Sequence, residues 1–503
     1  MSNDVQAKTT VIPVNCDLFL LCFMVYNTPI LTLTPTPSFL TMKNKFSRRQ
    51  FLAAASVAVA SPLVIPRSVL GQGGSPGAND TVRVALIGLG GRCTDIYPSA
   101  IKPAAGLKVA GICDFWPKRI TDFMKRFDGD FKPEQGYADF RTMIEKEKPD
   151  GVMAETTTHQ RAWTSAIAMQ MGCHLYIEKP MVLTIQEGRY LVDCAKKYKR
   201  VTQVGTQQRS LPLCKWACEQ IQAGVIGKVK FVQAPNFVGP NVWTDQPKEN
   251  YPEGMNDEIW DLWTNQAVFR PYHPALHYGW SNWWDYDAGG LCFGVSGWGT
   301  HSYDQANMAL GMNETGPVEI LLEEQPTIQD SGKFVARKPT DEETGSDYYG
   351  MAKVTGPRAK MTMWFANGVE LRLHLDGDWG PGLGCIVTGE NGKIEINRHK
   401  LASNPKDIVA NMPAEFKNTR DETIYHIENW VDCIKTGETC NADIEYGQRS
   451  TTLCELVNIV RATAPVGQKI GWDPAKERFT NNDKGNDMLS RPRRKGYELP
   501  KLT

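Results

Sequence analysis

Three side chains of this sequence have the chemical types needed to move a proton at a hydroxyl group. Lys179 follows Glu178 directly after the apolar residues 175–177, and a partly desolvated ammonium group could bind a hydroxyl while its pKa falls toward neutrality. His301 is of the type that titrates near neutral pH and could accept the proton. Asp304 could orient that ring if the segment is helical. Each residue alone fits a structural role as well, so the case depends on the elements that position them.

The alternation of strand and helix patterns predicts where Lys179 lies. Apolar runs at 82–87, 107–113, 151–154 and 175–177 alternate with helical patterns at 121–127, 140–146 and 162–171. That alternation is typical of a parallel, doubly wound sheet. Because ligands of such sheets bind beyond the C-terminal ends of the strands, we expect Glu178 and Lys179 to lie at a ligand cleft.

A glycine turn follows the first of these strands. Gly88 allows the tight turn, Gly90 lets the backbone approach a pyrophosphate, and a helix is expected from Gly91 and Arg92 onward. Asp114 ends the second strand 26 residues after Gly88, close to the spacing at which an acid binds the ribose hydroxyls of a dinucleotide. The pattern predicts NAD or NADP, with NAD slightly favoured because the acid would repel a 2′-phosphate, although the nearby Lys118 and Arg119 weaken this preference. The alternative for Asp114 is a turn residue that closes the strand.

Together these motifs resemble the Gfo/Idh/MocA oxidoreductase family. The resemblance rests on the glycine loop, the acid after the second strand, the stretch 156–159 and the Glu-Lys-Pro tripeptide, and it covers residues 82–480. Residues 297–304 and 388–394 agree with the second half of the family. It implies an α/β protein, with an N-terminal Rossmann domain and a C-terminal α/β domain built on a large, mostly antiparallel sheet. It further implies hydride transfer between a sugar or polyol and a tightly bound NAD or NADP.

The resemblance also assigns roles to individual residues. It supports Lys179 and His301 as catalytic residues, while Asp304 is a catalytic candidate from its spacing to His301 alone. The candidate cofactor-binding residues are Gly88, Gly90, Gly91, Arg92, Asp114, Thr157, His159, Glu178 and Lys179. Two positions of one family motif differ here, since Thr157 replaces a proline and Arg161 a second histidine. Cys93 stands at the third position of the glycine motif, where its small side chain still allows close helix packing.

Gly297 is the departure that bears most on the chemistry. In the family an Asp commonly stands four residues before the catalytic His301, and here that position is a glycine. The resemblance therefore leaves two outcomes open. A proton relay is rebuilt from Asp304, Asp285 or Asp287, or it is lost.

Half of the 14 tryptophans lie between residues 243 and 298. Sugars pack their C–H faces on aromatic rings beside polar groups, so Trp283, Trp284, Trp298 and Asp285 are the substrate-binding candidates. The stretch 236–282 has poor periodicity and many turn residues, which predicts a long loop over the cleft or at a subunit contact. The alternative is aromatic packing within an irregular segment.

Composition excludes several classes of protein. The 503 residues predict two or three domains. The 56 basic and 56 acidic residues give a net charge of zero, which does not suggest binding to nucleic acid or anionic membranes. The 13 cysteines include no Cys-x-x-Cys pair and no nearby histidines at zinc spacing. We interpret them as buried thiols and expect neither a disulfide nor a metal site.

The N-terminal region has the pattern of a targeting signal. Residues 47–52, Ser-Arg-Arg-Gln-Phe-Leu, precede an apolar run and carry the twin arginine of Tat signals, which predicts export to the periplasm. The expected organisation is a mis-assigned or disordered start at 1–41, with a weak extra anchor as the alternative, and a signal and linker at 42–79. The nucleotide-binding domain is expected at 80–207, a substrate and oligomerisation domain at 208–480, and a tail at 481–503 that is solvated or forms a subunit arm.

These features predict an exported, homo-oligomeric NAD(P)-dependent oxidoreductase of a sugar or polyol, without a membrane span in its mature form. Free NAD is scarce outside the cytoplasm, so a retained cofactor is expected. Two alternatives stay open, an NAD-dependent glycoside hydrolase of the same fold and a non-catalytic sugar-binding relative.

Overall fold

The structure, a computed structural model, describes residues 81–290, 294–331, 354–376, 381–398, 400–417 and 422–502. The predictions of a start site, a twin-arginine signal and a linker fall at residues 1–79 and lie outside the described residues. No helix in the described part of the chain is long and apolar enough to cross a membrane. Ten cysteines belong to this part and all are buried, which confirms their interpretation as buried thiols.

The first sheet has six parallel strands in the order β3-β2-β1-β4-β5-β6. The strands are β1 (Val82–Ile87), β2 (Leu107–Cys113), β3 (Gly136–Tyr137), β4 (Gly151–Ala154), β5 (His174–Ile177) and β6 (Thr202–Val204). Their order reverses between β1 and β4, which is the point where doubly wound sheets bind ligands. The strands are mostly buried, as parallel strands covered on both faces must be. The predicted Rossmann-type half is confirmed.

Five helices connect these strands: α1 (Gly91–Ile96), α2 (Pro117–Arg126), α3 (Phe140–Glu147), α4 (Thr158–Gln170) and α5 (Ile185–Tyr198). Helix α4 begins four residues before the start predicted at Ala162. The four extra residues are polar, so apolar periodicity does not show them. They are nevertheless buried, because the second half of the chain covers them.

The second sheet has nine strands in the order β15-β14-β13-β7-β12-β11-β8-β16-β17. They are β7 (Val229–Asn236), β8 (Pro317–Leu322), β11 (Met361–Phe365), β12 (Glu370–Asp376), β13 (Cys385–Gly389), β14 (Lys393–Asn397), β15 (Lys400–Asn404), β16 (Lys469–Asp473) and β17 (Arg478–Phe479). Only β7 and β12 pair in parallel, so the prediction of a large, mostly antiparallel sheet is confirmed. A separate ribbon joins β9 (Thr327–Ser331) and β10 (Val354–Arg358).

The described residues of the second half form seven further helices: α6 (Pro212–Gln222), α7 (Asp257–Thr264), α8 (Pro274–His277), α9 (Thr300–Leu310), α10 (Glu422–Thr436), α11 (Ile444–Thr463) and α12 (Asp483–Asp487). Helices α6, α9 and α11 share one apolar core with the large sheet. Helix α11 also packs on α5 and β6 of the first sheet, so it joins the two halves. A turn of π-helix, Val295–Gly299, leads into α9.

The prediction of a solvated tail is wrong for the described residues beyond 481. Leu489 is buried, and the basic run contacts the rest of the chain. Arg493 pairs with Glu187 of α5, and Arg494 pairs with Asp261 of α7. The sequence shows this run as basic and polar, but acids from distant segments meet it and make it part of the folded structure.

Candidate active site

A cleft of about 440 Å³ opens at the C-terminal ends of β1, β2, β4 and β5. The predicted cofactor residues that line it are Gly88, Gly90, Gly91, Arg92, Asp114, Thr157, Glu178 and Lys179. The second half of the chain contributes the opposite wall, with Trp263, Trp280, Asp287, Gly297 and Tyr497 among its residues. The parallel topology therefore brings together residues that are widely separated in sequence.

Gly88 and Gly90, in the turn after β1, have different surroundings. Gly88 has φ +91°, and a Cβ built on it would lie 2.8 Å from the backbone nitrogen of Thr156. A Cβ built on Gly90 would meet no described atom within 4 Å. The fold itself thus requires glycine at 88, whereas Gly90 borders open space of the kind that a pyrophosphate needs.

Asp114 directly follows β2, and each of its two carboxyl oxygens accepts a backbone hydrogen bond. Its Oδ2 accepts a hydrogen bond from the Leu89 backbone N–H at 3.0 Å, and its Oδ1 accepts one from Trp116 N–H at 3.0 Å. Burial raises the pKa of Asp114. The Arg119 guanidinium lies over the Trp116 ring at 5.1 Å and also lines the cleft. Asp114 therefore fixes the glycine turn, and its contact with a ribose stays a prediction.

Glu178 directly follows the buried strand β5, and its carboxylate accepts hydrogen bonds from several donors. Its Oε1 accepts hydrogen bonds from Arg92 Nε at 3.0 Å and from Gln207 Nε2 at 3.0 Å. Burial opposes ionisation, but Arg92 and Lys179 hold the pKa of Glu178 below its ordinary value. Glu178 is thus an anchoring carboxylate. Lys179 extends further, and its Nζ donates to the carbonyl of Gly297 at 3.3 Å, which links the two halves across the cleft.

His159 lies behind the cleft wall. Its Nε2 donates to the Trp263 carbonyl at 2.9 Å, and its ring packs edge-on against Trp263. Burial lowers the pKa of His159 to about 4, so the ring is neutral and positions a lining tryptophan. Arg161, which replaces a histidine of the family motif, donates to the Pro180 carbonyl at 2.5 Å and holds the chain that carries Lys179.

The predicted pairing of His301 with Asp304 is wrong. Both residues lie on α9, but Asp304 accepts two hydrogen bonds from Arg209, at 2.8 and 2.9 Å, and one from Ser450. Arg209 is buried beside it, and no hydrogen bond joins this carboxylate to the His301 ring, whose described partner is Arg398. Asp304 is consequently a buried ion-pair residue and lies outside the cleft wall.

His301 is 4% exposed and does not belong to the described lining of the cleft. Arg398 Nη2 lies 3.1 Å from its Nε2. Burial, followed by the positive charges of Arg398 and Lys179, lowers the pKa of His301 well below its ordinary value. The ring is neutral and lies one helical turn beyond the Gly297 carbonyl that binds Lys179, so its role as the base stays a prediction.

The four predicted substrate residues do not belong to the described cleft wall. Trp283 packs edge-on against Trp243 at 4.8 Å, Arg491 covers Trp284, Trp298 packs on the core of the large sheet, and Asp285 binds Arg270. The aromatic residues that do line the cleft include Trp116, Trp163, Trp263, Trp280 and Tyr497. The alternative, aromatic packing within an irregular segment, explains Trp283, whereas Trp284 and Trp298 contact other parts of the chain. The segment 236–282 itself does cover the cleft, through Trp263 and its neighbours.

Glu155 and Tyr497 are among the residues of the site that sequence reasoning missed. Glu155 directly follows β4 as Glu178 follows β5, so the same rule of strand ends could have found it. Tyr497 comes from the segment expected to be a tail, and it packs on Trp163 at 5.4 Å. No local pattern in the sequence marks it.

Two family models match the chain. A model described as an oxidoreductase family with an NAD-binding Rossmann fold matches residues 82–206, and one described as an oxidoreductase-family C-terminal alpha/beta domain matches residues 220–347 and 349–499. Together they cover most of the chain.

Curated relatives match a shorter part. A glycosyl hydrolase family 109 protein of Akkermansia muciniphila is 29% identical over 126 residues, which are 24% of this chain and 26% of that protein. A D-glucoside 3-dehydrogenase of Escherichia coli is 24% identical over 148 residues, 29% of this chain and 41% of that protein. The chain spans less than half the length of both. The solved structure of an aldose-aldose oxidoreductase from Caulobacter crescentus is 15% identical with a TM-score of 0.52, and covers 78% of this chain and 99% of that one, which shows a shared fold.

Proposed function

This chain belongs to the Gfo/Idh/MocA family of oxidoreductases, and from that premise we propose that it is an NAD(P)-dependent dehydrogenase of a sugar or polyol hydroxyl group. The observation that carries the proposal is the position of Lys179. Its ammonium group reaches from the end of β5 to the Gly297 carbonyl, in the same cleft as the glycine turn and Asp114. A cation at this junction lies between a nucleotide site and the second half of the chain.

The residues present fit a dinucleotide. The open space at Gly90 accommodates a pyrophosphate, and Asp114 stands at the strand end where a ribose binds. Thr157 and Lys179 would complete the contacts on the opposite side of the turn. The bound nicotinamide would accept the hydride that leaves the substrate carbon.

The protein must then position the hydroxyl and manage its proton. Lys179 binds the hydroxyl oxygen and stabilises the negative charge that develops on it. Arg161 and Glu178 hold the backbone on either side of Lys179, so the ammonium group is directed into the cleft. His301, which is neutral and follows the Gly297 carbonyl by four residues at the start of α9, is the proposed proton acceptor.

A second candidate is redox-assisted glycoside cleavage. One curated relative is a glycosyl hydrolase family 109 protein, 29% identical to this chain over 126 residues. The two candidates share the bound nucleotide and differ in outcome. A dehydrogenase accumulates reduced cofactor or passes the hydride to a second substrate, whereas the hydrolase releases a sugar without net reduction.

We further propose that the chain is exported with its nucleotide bound. The twin arginine at 48–49 motivates export. Retention is supported by the cover that Trp263 and Tyr497 form over the cleft. Cell fractionation with and without Arg48→Lys and Arg49→Lys tests the first point, and slow loss of nucleotide during dialysis tests the second.

The test of the proposed function starts from protein purified without added nucleotide. Denaturation followed by chromatography and mass spectrometry identifies any nucleotide that is released. A stoichiometric amount of NAD(H) or NADP(H) supports the proposal and identifies the cofactor. No released nucleotide, and no binding of either cofactor in a titration, would refute it. Sugar panels then separate dehydrogenation from glycoside cleavage.

A further inference from the structure

We propose that Glu155 is a further cofactor-binding residue, which donates a hydrogen bond from a protonated carboxyl group to an oxygen of the bound dinucleotide. The inference rests on the proposed function, because it requires a nicotinamide cofactor in the cleft. It concerns a side chain to which neither the sequence motifs nor the catalytic scheme gives a role.

The position of Glu155 is fixed by the fold. It directly follows β4, at the point where the strand order reverses, and its backbone N–H donates to the Ile87 carbonyl at 2.8 Å. Its carbonyl carbon would lie 3.0 Å from a Cβ placed on Gly88. Glu155 therefore sits directly beside the glycine turn, and it lines the cleft.

The carboxyl group of Glu155 lacks a partner. Only 6% of the residue is exposed, and neither carboxyl oxygen makes a hydrogen bond to any described residue. Glu178, one strand over and equally buried, is bound by Arg92, Gln207 and the Lys179 N–H. A buried polar group without a partner is costly in a folded protein and calls for an explanation. A ligand that occupies the cleft supplies the missing partner.

The surroundings favour the protonated carboxyl group. The titratable groups that act on it come from α1, β5 and α4: Arg92, Cys93, Tyr176, Glu178 and Arg161. Burial, followed by the negative charge of Glu178, raises the pKa of Glu155 to about 8, while the two arginines oppose this rise. Near neutral pH the group thus holds its proton and can donate a hydrogen bond. A dinucleotide presents pyrophosphate, hydroxyl and carboxamide oxygens as acceptors.

The sign of the pH dependence follows from this arrangement. Protonated Glu155 binds the cofactor, and ionised Glu155 loses the donor and repels the pyrophosphate. The affinity for NAD should therefore be highest at pH values below the pKa of Glu155. It should fall as the pH rises through that pKa, by about tenfold for each pH unit above the pKa. Binding near that pH should also take up protons, because the bound state favours the protonated form.

The experiment titrates NAD into the purified protein after charcoal treatment to remove nucleotide, from about pH 6 to about pH 9. Calorimetry in two buffers of different ionisation enthalpy gives both the Kd and the number of protons taken up. Glu155→Gln keeps a hydrogen-bond donor but does not titrate, so its Kd should stay constant across this range without proton uptake. Glu145→Gln, at an exposed position of α3, is the matched control and should follow the wild type.

Each outcome decides the question. A wild-type Kd that does not change with pH overturns the inference while leaving the dehydrogenase proposal standing. An equal loss of affinity in Glu155→Gln and wild type assigns the titration to another group and overturns it as well. If Glu155→Gln does not fold, the wild-type measurement of proton uptake decides, and its absence overturns the inference. Failure of NAD and NADP to bind at every pH overturns the proposed function and this inference together.

Discussion

Substitution by alanine should lower the stability of the protein at Gly88 and weaken NAD binding at Gly90. In Gly88→Ala the new Cβ would lie 2.8 Å from the backbone nitrogen of Thr156, at φ +91°. These atoms belong to the backbone at the end of a buried strand, so they cannot rotate away. In Gly90→Ala the new Cβ meets nothing within 4 Å, and φ is −74°, an ordinary value for alanine.

The magnitudes follow from these two geometries. A positive φ costs an L-residue about 1–2 kcal/mol, and overpacking a filled site adds about 1–3 kcal/mol. Gly88→Ala should therefore lower the free energy of unfolding by about 2–5 kcal/mol. Gly90→Ala should leave it unchanged, or raise it by up to about 1 kcal/mol through the unfolded chain. Its methyl group occupies pyrophosphate space, so we expect NAD to bind at least about tenfold more weakly, or about 1.4 kcal/mol.

Urea unfolding followed by tryptophan fluorescence measures the first effect, and NAD titration measures the second. Gly129→Ala is the matched control, because Gly129 has φ +83° with nothing within 4 Å of the new Cβ. It isolates the cost of the backbone conformation from the cost of the contact. The reasoning is refuted if Gly88→Ala is no less stable than Gly129→Ala. Unchanged NAD affinity in Gly90→Ala would show that this turn does not bind the pyrophosphate.

Three further predictions concern the rest of the site. Lys179→Met should abolish turnover while the protein still carries nucleotide. Steady-state assays and analysis of the released nucleotide measure the two properties. Substantial remaining turnover would show that Lys179 does not take part in the chemistry. Asp304→Asn breaks a buried ion pair and should cost about 3–5 kcal/mol of unfolding free energy, against less than about 1 kcal/mol for the exposed pair in Asp122→Asn; a stable but inactive Asp304→Asn protein would restore a catalytic role. Arg494→Ala should loosen the segment that carries Trp263 and so speed the release of nucleotide relative to the control Lys495→Ala. A stopped-flow chase measures both release rates, and equal rates in the two variants would contradict the proposed cover.

The sequence alone sufficed for the first half because its signals are local. A short apolar run bounded by glycine predicts a buried strand, and the turn at Gly88 is recognised from residues close together in the chain. The position of Glu178 and Lys179 at a cleft follows as well, since parallel strands place their C-terminal ends on one edge of the sheet. These predictions needed no knowledge of distant contacts.

The tertiary structure decided what depends on partners distant in sequence. His301 and Asp304 do share a helix, yet Arg209, from a 3₁₀ turn after β6, captures the acid, and helical spacing cannot reveal that partner. Trp283 packs on Trp243 of its own segment, whereas Trp284 lies under Arg491 from the C-terminal region. Tyr497 lines the cleft, and the neighbouring Arg494 pairs with Asp261. Local pattern determined which strands form and where a cleft opens. Long-range packing and charge pairing determined which side chains line it, because burial and ion pairing depend on neighbours that the sequence does not place side by side.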